Sequence, residues 1–356
     1  MTQIQTPGSL FQPPVLSRYD TLVLSHRGAA MRRREFIGGL AATGLPLAAL
    51  AQQAGRLPTV GVLWHAASPS EEQPYFDALI QGFKELGYFE GRNIKFEHRF
   101  PNEIPERFRQ MAAELGALNV AAIVTVGNQT AQYAKQATAT VPIVFVFVND
   151  PVGAKLVNTL ARPGGNVTGH SVIGIDLTAK RFELLREIVP QVSHVGLLLN
   201  PNEPSAAQYF AEGKAAASAL NLTVEPFELR SLNEMESVFA RMAQSGVQAL
   251  ALGPGGLLFQ GKSDLAKIAL AHRMPTCGWS RETLVSGLLL SYGPDLVQIV
   301  RQATTFVDKI LRGAKPGEIP VQQPTRFQLV VNQQTAKALK INIPSSFYLR
   351  ADEVIE

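Results

Sequence analysis

Gly256-x4-Gly261-Lys262-Ser263 has the residue types and spacing of a phosphate-binding loop, where backbone amides and a lysine cradle phosphates. It follows a strand pattern and precedes a helical one, and Val144 to Asp150 mimics an apolar strand ending in a magnesium-holding Asp. Its interior, Leu257-Leu258-Phe259-Gln260, is bulky where such a loop must fold tightly. The plainer reading is a turn with a solvated Lys262 at a helix start. Gly169-His170-Ser171-Val172-Ile173-Gly174 misses the G-x-S-x-G spacing of a nucleophile elbow. Gly253-Pro254-Gly255-Gly256 is no dinucleotide fingerprint, because Leu258 stands where the closing glycine belongs. The six histidines show no metal-ligand spacing, and one cysteine, Cys277, makes neither an internal disulfide nor a cysteine-based zinc site. No catalytic residue, metal or cofactor is expected.

What remains is a set of polar and aromatic residues just past the ends of predicted strands. In the first half these are Trp64 and His65, Asn128 and Thr130, and Asn149 and Asp150. In the second half they are Asn200, Gly253, Trp279 with Ser280, and Tyr292. Ligands of parallel α/β sheets collect outside the carboxyl ends of the strands. Thr130 opens a helical pattern, where free amides and the positive dipole end suit a carboxylate. Aromatic residues at such a rim can pack an apolar or planar solute. The expected ligand is a small carboxylate-bearing solute.

The elements that must position these residues repeat. Val60-Gly61-Val62-Leu63 and Val195-Gly196-Leu197-Leu198 are buried-strand signals, followed by Pro69-Ser70 and Pro204-Ser205 at the same offset of 135. Val120 to Val124 ends in Gly127, and Val247 to Leu252 ends in Gly253. Phe76, Leu79, Ile80, Phe83 and Leu86 follow the helical i, i+3, i+4, i+7 rule up to a stop at Gly87. The same patterns predict helices over 104–118, 177–189, 296–311 and 333–339, and strands over 94–97, 141–148, 287–293 and 327–331. Each half reads strand, helix, strand, helix. That is an α/β fold of two doubly wound parallel-sheet lobes, with the Arg162–Asn166 turn carrying the chain from one to the other.

Composition sets the outer bounds. A hydrophobic content of 46% supplies a large core and excludes wholesale disorder. The net charge of +4 is concentrated at the start: residues 1–51 hold five arginines against Asp20 and Glu35. The remaining 28 Lys+Arg against 27 Asp+Glu give no electrostatic footprint for nucleic acid. Arg32-Arg33-Arg34-Glu35-Phe36-Ile37, the charge-free stretch Gly38 to Leu50 and the Ala49-Leu50-Ala51 ending have the order of a secretory signal of twin-arginine type. The expectation is export to the periplasm with cleavage after Ala51. Met31 stands where the signal should begin, so residues 1–30 read as an extension upstream of the true start.

Longer motifs carry a resemblance. Gly82-Phe83-Lys84-Glu85-Leu86-Gly87-Tyr88, Arg162-Pro-Gly-Gly-Asn-Val-Thr-Gly169, Ala179-Lys180-Arg181-Phe182-Glu183-Leu184-Leu185, Ser291-Tyr292-Gly293 and Ala351-Asp352-Glu353-Val354-Ile355-Glu356 are among its marks. Over almost all of 31–356 the chain resembles the solute-binding proteins of ABC transporters that include tryptophan- and tyrosine-type members. The resemblance implies a type I periplasmic binding-protein fold whose two lobes are joined by a hinge. It implies no catalysis, a small-molecule solute captured between the lobes, and delivery to an ABC permease in the inner membrane. A monomer is expected. The lobes are expected over 52–166 plus 288–320 and over 167–287 plus 321–356. Asn149-Asp150 stands where members often have Gly-Asp, and Gly253-Pro254-Gly255-Gly256 replaces a more polar or aromatic stretch. Two other readings stand beside this one: an exported hydrolase or NTPase using residues 256–263, and a ligand-sensing subunit of a membrane signalling system.

Overall fold

The computed structural model describes residues 57–356; the expected extension, signal and cleavage site lie outside the described residues. The first lobe is built on β1 (Thr59–Leu63), β2 (Lys95–Arg99), β3 (Ala122–Val126), β4 (Ile143–Val148) and β5 (Val167–Ser171). They form one sheet in the order β2-β1-β3-β4-β5, every pair parallel. Strands β1 and β3 are buried along almost their whole length, because helices cover both faces.

Helices α1 (Tyr75–Glu85), α2 (Pro105–Ala117) and α3 (Asn128–Ala137) follow the first three strands in turn. Helix α1 buries Tyr75, Ala78, Leu79 and Phe83 on one side, the stripe that the 3.6-residue period dictates. It starts one residue before the expected Phe76 and ends at Glu85, with Leu86 as its C-cap before Gly87.

The second lobe repeats the plan. Its strands are β6 (His194–Leu199), β7 (Thr223–Glu228), β8 (Ala249–Leu252), β9 (Thr276–Gly278) and β10 (Leu290–Pro294), extended by β11 (Phe327–Asn332) and β12 (Glu353–Ile355). The order is β12-β11-β10-β9-β8-β6-β7. Strands β6 to β10 thus reproduce the arrangement of β1 to β5, as the sequence repeat foretold. Only β10 with β11 is antiparallel. Helices α4 (Thr178–Ile188), α5 (Ala206–Ala219), α6 (Met235–Gln244), α7 (Gly256–Gln260), α8 (Lys262–Ala271) and α9 (Arg281–Val285) belong to this half. Helix α10 (Leu296–Leu311) returns to the first lobe. Its face of Ile299, Val300, Ala303, Phe306 and Val307 packs against α1 and β4. Helices α11 (Gln333–Leu339) and α12 (Ser345–Tyr348) close the second lobe.

All three expected lobe boundaries need correcting. The Arg162–Asn166 turn does not leave the first lobe, since it feeds β5, which pairs with β4. The strand near 288–293 is β10, which pairs with β9 and β11 in the second sheet. The chain therefore crosses at 172–177, at Asp295 and at 323–326. A lone apolar strand carries no mark of which sheet it joins, so pattern reading placed every crossing a few residues early. The last crossing is tied to the first: Ser171 N–H donates to the Gln322 carbonyl and Gln322 N–H to that of Gly169.

The apparent phosphate-binding loop is not a loop. Residues 256–260 and 262–271 are the helices α7 and α8, with Gly261 between them. The Phe259, Gly261 and Leu265 amides make helical bonds, and the Gly256 amide donates to Glu203 Oε1. Lys262 Nζ lies 3.9 Å from the centroid of the Phe259 ring and donates to its carbonyl.

Candidate functional site

Both sheets aim the carboxyl ends of their central strands at one cavity of about 620 Å³, its mouth included. From the first lobe come His65 after β1, Tyr75 at the start of α1, Gly127 and Asn128 after β3, and Phe147 and Asn149 at the end of β4. From the second come Arg181 in α4, Glu203 after β6, Pro254 to Gly256 after β8, Phe259 in α7 and Trp279 after β9. The crossing segments add Val172, Gly174, Pro294 and Leu296.

The apolar part is an aromatic box. The Tyr75 ring stacks on Phe259, centroids 5.1 Å apart, and meets Phe147 edge-on at 5.0 Å. His65 meets Phe259 edge-on at 5.8 Å. Phe147 sits at a register shift in β4 with φ of 63°, a strained conformation for a bulky residue. That local twist accompanies its place in the cavity lining.

The polar part holds a guanidinium that is only partly satisfied. Arg181 is almost wholly buried. Its Nε donates to the Tyr292 carbonyl at 2.8 Å, and Nη1 donates to the Gly174 carbonyl at 2.8 Å and to the Tyr209 hydroxyl at 3.1 Å. Its Nη2 has no partner. A guanidinium nitrogen left bare in a buried site is a ready carboxylate donor. Helix α3 adds the unbonded amides of its first turn, entered through Gly127 at φ of 107°. Two acceptors lining the same cavity, Glu203 Oε2 and Asn149 Oδ1, also lack partners.

The family model for ABC transporter substrate-binding proteins matches residues 60–355. The chain belongs to that family. It is 26% identical over 291 residues to a tyrosine-binding protein of Clostridioides difficile strain R20291, covering 79% of this chain and 83% of that one. A conserved domain protein from Vibrio cholerae superposes with a TM-score of 0.79 at 29% identity, over 84% of this chain and 100% of that one. The ABC domain in complex with L-Trp from Streptococcus pneumonia gives 0.78 at 27% identity, with the same coverage. The binding protein is thus the solute-capturing component of a transporter, and the hydrolase or NTPase reading is not favoured. Among the described residues no helix is long and apolar enough to cross a membrane.

The cleft of the binding protein is shut. Gln260 of the second lobe donates to Glu71 Oε2 at 3.0 Å and to Asn102 Oδ1 at 2.9 Å of the first. The Tyr75 hydroxyl donates to Glu282 Oε2 at 3.2 Å. Gly256 lies so close to the first lobe that a Cβ there would stand 1.9 Å from Glu103 Oε1 and 3.0 Å from the His65 ring. His65 lies 3.3 Å from both Glu72 and Glu103, close enough for ion pairing though off hydrogen-bond alignment. Burial alone would lower its imidazole, but Glu72 and Glu103 outweigh it and raise it to about 9. Burial, then the charge of Glu103, raises the Glu203 carboxyl to about 7.

Of the residues expected from sequence, His65, Asn128, Asn149 and Trp279 line this cavity. The rest do not. Trp64 is core, its Nε1 donating to His98 Nδ1 at 3.0 Å and its ring stacked on Phe100. Thr130 is fully buried and its hydroxyl donates back to the Gly127 carbonyl at 2.9 Å, so the side chain serves its own helix. Asp150 accepts from the Gly153 amide and borders a separate shallow groove. Asn200 accepts from the Asn202 amide within its own turn. Gly253 packs against Leu199 and the Leu198 carbonyl. Ser280 caps α9 through Thr283. Tyr292 offers the cavity only a carbonyl to Arg181, its ring lying against Phe327.

Sequence reasoning missed Tyr75, Phe147, Arg181, Glu203 and Phe259. Arg181 had a signal: it shares a helical face with Leu184, Leu185 and Ile188, where a charge is out of place. Glu203 had none, since a glutamate in an Asn-Pro turn reads as solvated.

Proposed function

We propose that the binding protein captures a small carboxylate-bearing solute with an apolar or aromatic body, of the amino-acid class, by closing its two lobes over it. The observation that carries this reading is the bare Nη2 of Arg181 lining the same cavity as Tyr75, Phe147, Phe259 and Trp279. The carboxylate pairs with Arg181 and the first turn of α3, and the body packs among the rings. The relatives named for tyrosine and solved with L-Trp support an aromatic side chain. A ligand that touches both lobes only when they are shut shifts the open–closed population toward the closed form. A monomer then presents the closed surface to a permease in the inner membrane.

Family membership supports work outside the cytoplasm. The Arg33-Arg34 pair and Ala49-Leu50-Ala51 support export by the twin-arginine route to the periplasm. N-terminal sequencing of periplasmic protein should begin at Gln52; an uncleaved chain confined to the cytoplasm would overturn the localisation.

The ligand is tested by thermal shift, because a molecule that binds only the native state raises the melting temperature. L-tyrosine or L-tryptophan at about 100 times its Kd should stabilise the protein by roughly 2.7 kcal/mol. A screen in which neutral sugars shift the transition and no carboxylate does would reject the proposal.

A further inference from the structure

We propose that Glu203 decides between an amino acid and its des-amino counterpart, its free Oε2 taking the ligand's ammonium group while Arg181 takes the carboxylate. This rests on the reading of the cavity as a carboxylate-capture site and adds the second anchor. Glu203 is buried, its Oε1 accepts from the Gly256 amide at 3.2 Å, and its Oε2 is left without a partner. Asn149 Oδ1, in the same cavity, is a second buried acceptor with nothing to accept. Two unsatisfied acceptors call for a multiple donor. An ammonium carries three N–H groups and no acceptor, whereas a hydroxyl carries one.

The charge around Glu203 points the same way. Facing it from the first lobe are Glu103, His65 and the Asn128 side chain, with Glu72 behind His65. One imidazolium stands among three carboxyls, so the cluster favours a cation. Among the described residues there is no His, Cys, Asp and Glu grouping that could hold a metal ion. The cation is therefore best supplied by the ligand.

A proton balance follows. In the closed cleft before any ammonium is present, burial holds the Glu203 carboxyl at about 7. An ammonium against Oε2 favours the ionised form, so binding at pH 7 releases up to about half a proton to solvent. His65, held at about 9, stays charged throughout. Affinity for an amino acid falls as the pH drops below 7, and affinity for a des-amino acid does not.

The test is calorimetry at pH 7 in phosphate and in Tris, whose different ionisation enthalpies report the proton. The probes are L-tyrosine and L-tryptophan against 3-(4-hydroxyphenyl)propionate and indole-3-propionate, on wild type and Glu203→Gln. Wild type should bind the amino acids roughly 10- to 150-fold tighter, the range of one charge-assisted hydrogen bond. Only the amino acids should release a proton, and Glu203→Gln should erase both effects while keeping the acids. Equal wild-type affinity for both classes, or a preference that survives Glu203→Gln, overturns the role of Glu203 and leaves carboxylate capture standing. Failure of all four probes to bind overturns the carboxylate reading together with this one. If Glu203→Gln does not fold, the wild-type preference and its proton release decide by themselves.

Discussion

At the scale of single residues, one expected anchor gives way to one that sequence reasoning missed. Thr130 opens the helix that meets the cavity, yet its hydroxyl returns to the Gly127 carbonyl. Thr130→Ala should therefore leave ligand affinity within about threefold while costing about 1 kcal/mol of apo stability for the lost hydrogen bond. Arg181 sits on an apolar helix face and carries, at the cavity, a guanidinium nitrogen without a partner. Arg181→Gln should weaken L-tyrosine roughly 10- to 150-fold, the cost of a charge-assisted bond. The wild-type preference for L-tyrosine over L-tyrosinamide should disappear with it. Stability should also fall, because the Tyr292 and Gly174 carbonyls lose their buried donors. Calorimetry and melting curves of the two variants separate these effects; an Arg181→Gln protein that still favours the carboxylate would move the anchor elsewhere.

At the scale of elements, a motif and a fold element compete for the same residues, and the element wins. Leu257, Leu258 and Phe259 are buried and anchor α7 against the core. A tight anion-binding turn would expose them, at roughly 1.5–3 kcal/mol for each large apolar side chain. The Gly256 amide is committed to Glu203 and those of Phe259 and Gly261 to helical bonds, so the stretch forms no phosphate-cradling nest. Labelled ATP should show no saturable binding below the millimolar range. Lys262→Ala should change affinity for L-tyrosine by less than about threefold, since Lys262 only backs the Phe259 ring. Micromolar nucleotide binding that Lys262→Ala abolishes would restore the enzyme reading.

At the scale of the whole molecule, closure buries a charged cluster in the seam between the lobes, and stability becomes dependent on pH. The folded His65 imidazole is raised from 6.5 to about 9. Its contribution is full below pH 6.5 and is lost as the pH rises through 9, on the order of 3 kcal/mol at most. The raised carboxyl of Glu203 adds a loss of the same sign between about 4.5 and 7, because the native state holds that proton longer. The apo melting temperature should thus decline from mildly acidic to alkaline pH, and His65→Gln should flatten the slope above pH 6.5. A His65→Gln protein with an unchanged pH profile would show that the imidazole is not ionised in the seam.

The sequence by itself determined the periodic features. Helical stripes such as 76–86 and 296–311, buried strands, and the offset repeat of strand and Pro-Ser gave two doubly wound lobes, and strand-end logic found His65, Asn128, Asn149 and Trp279. These are local or near-local signals, set by burial on one face or both. Tertiary structure alone decided which sheet β5 and β10 joined, since a short apolar strand fits either edge equally well. It alone brought Glu203 and Arg181 of one lobe to the cavity that Tyr75 and Phe147 line from the other. Residues more than a hundred positions apart meet there through packing that no window of sequence records, and a buried unpaired charge exists only once the second lobe has excluded water from it.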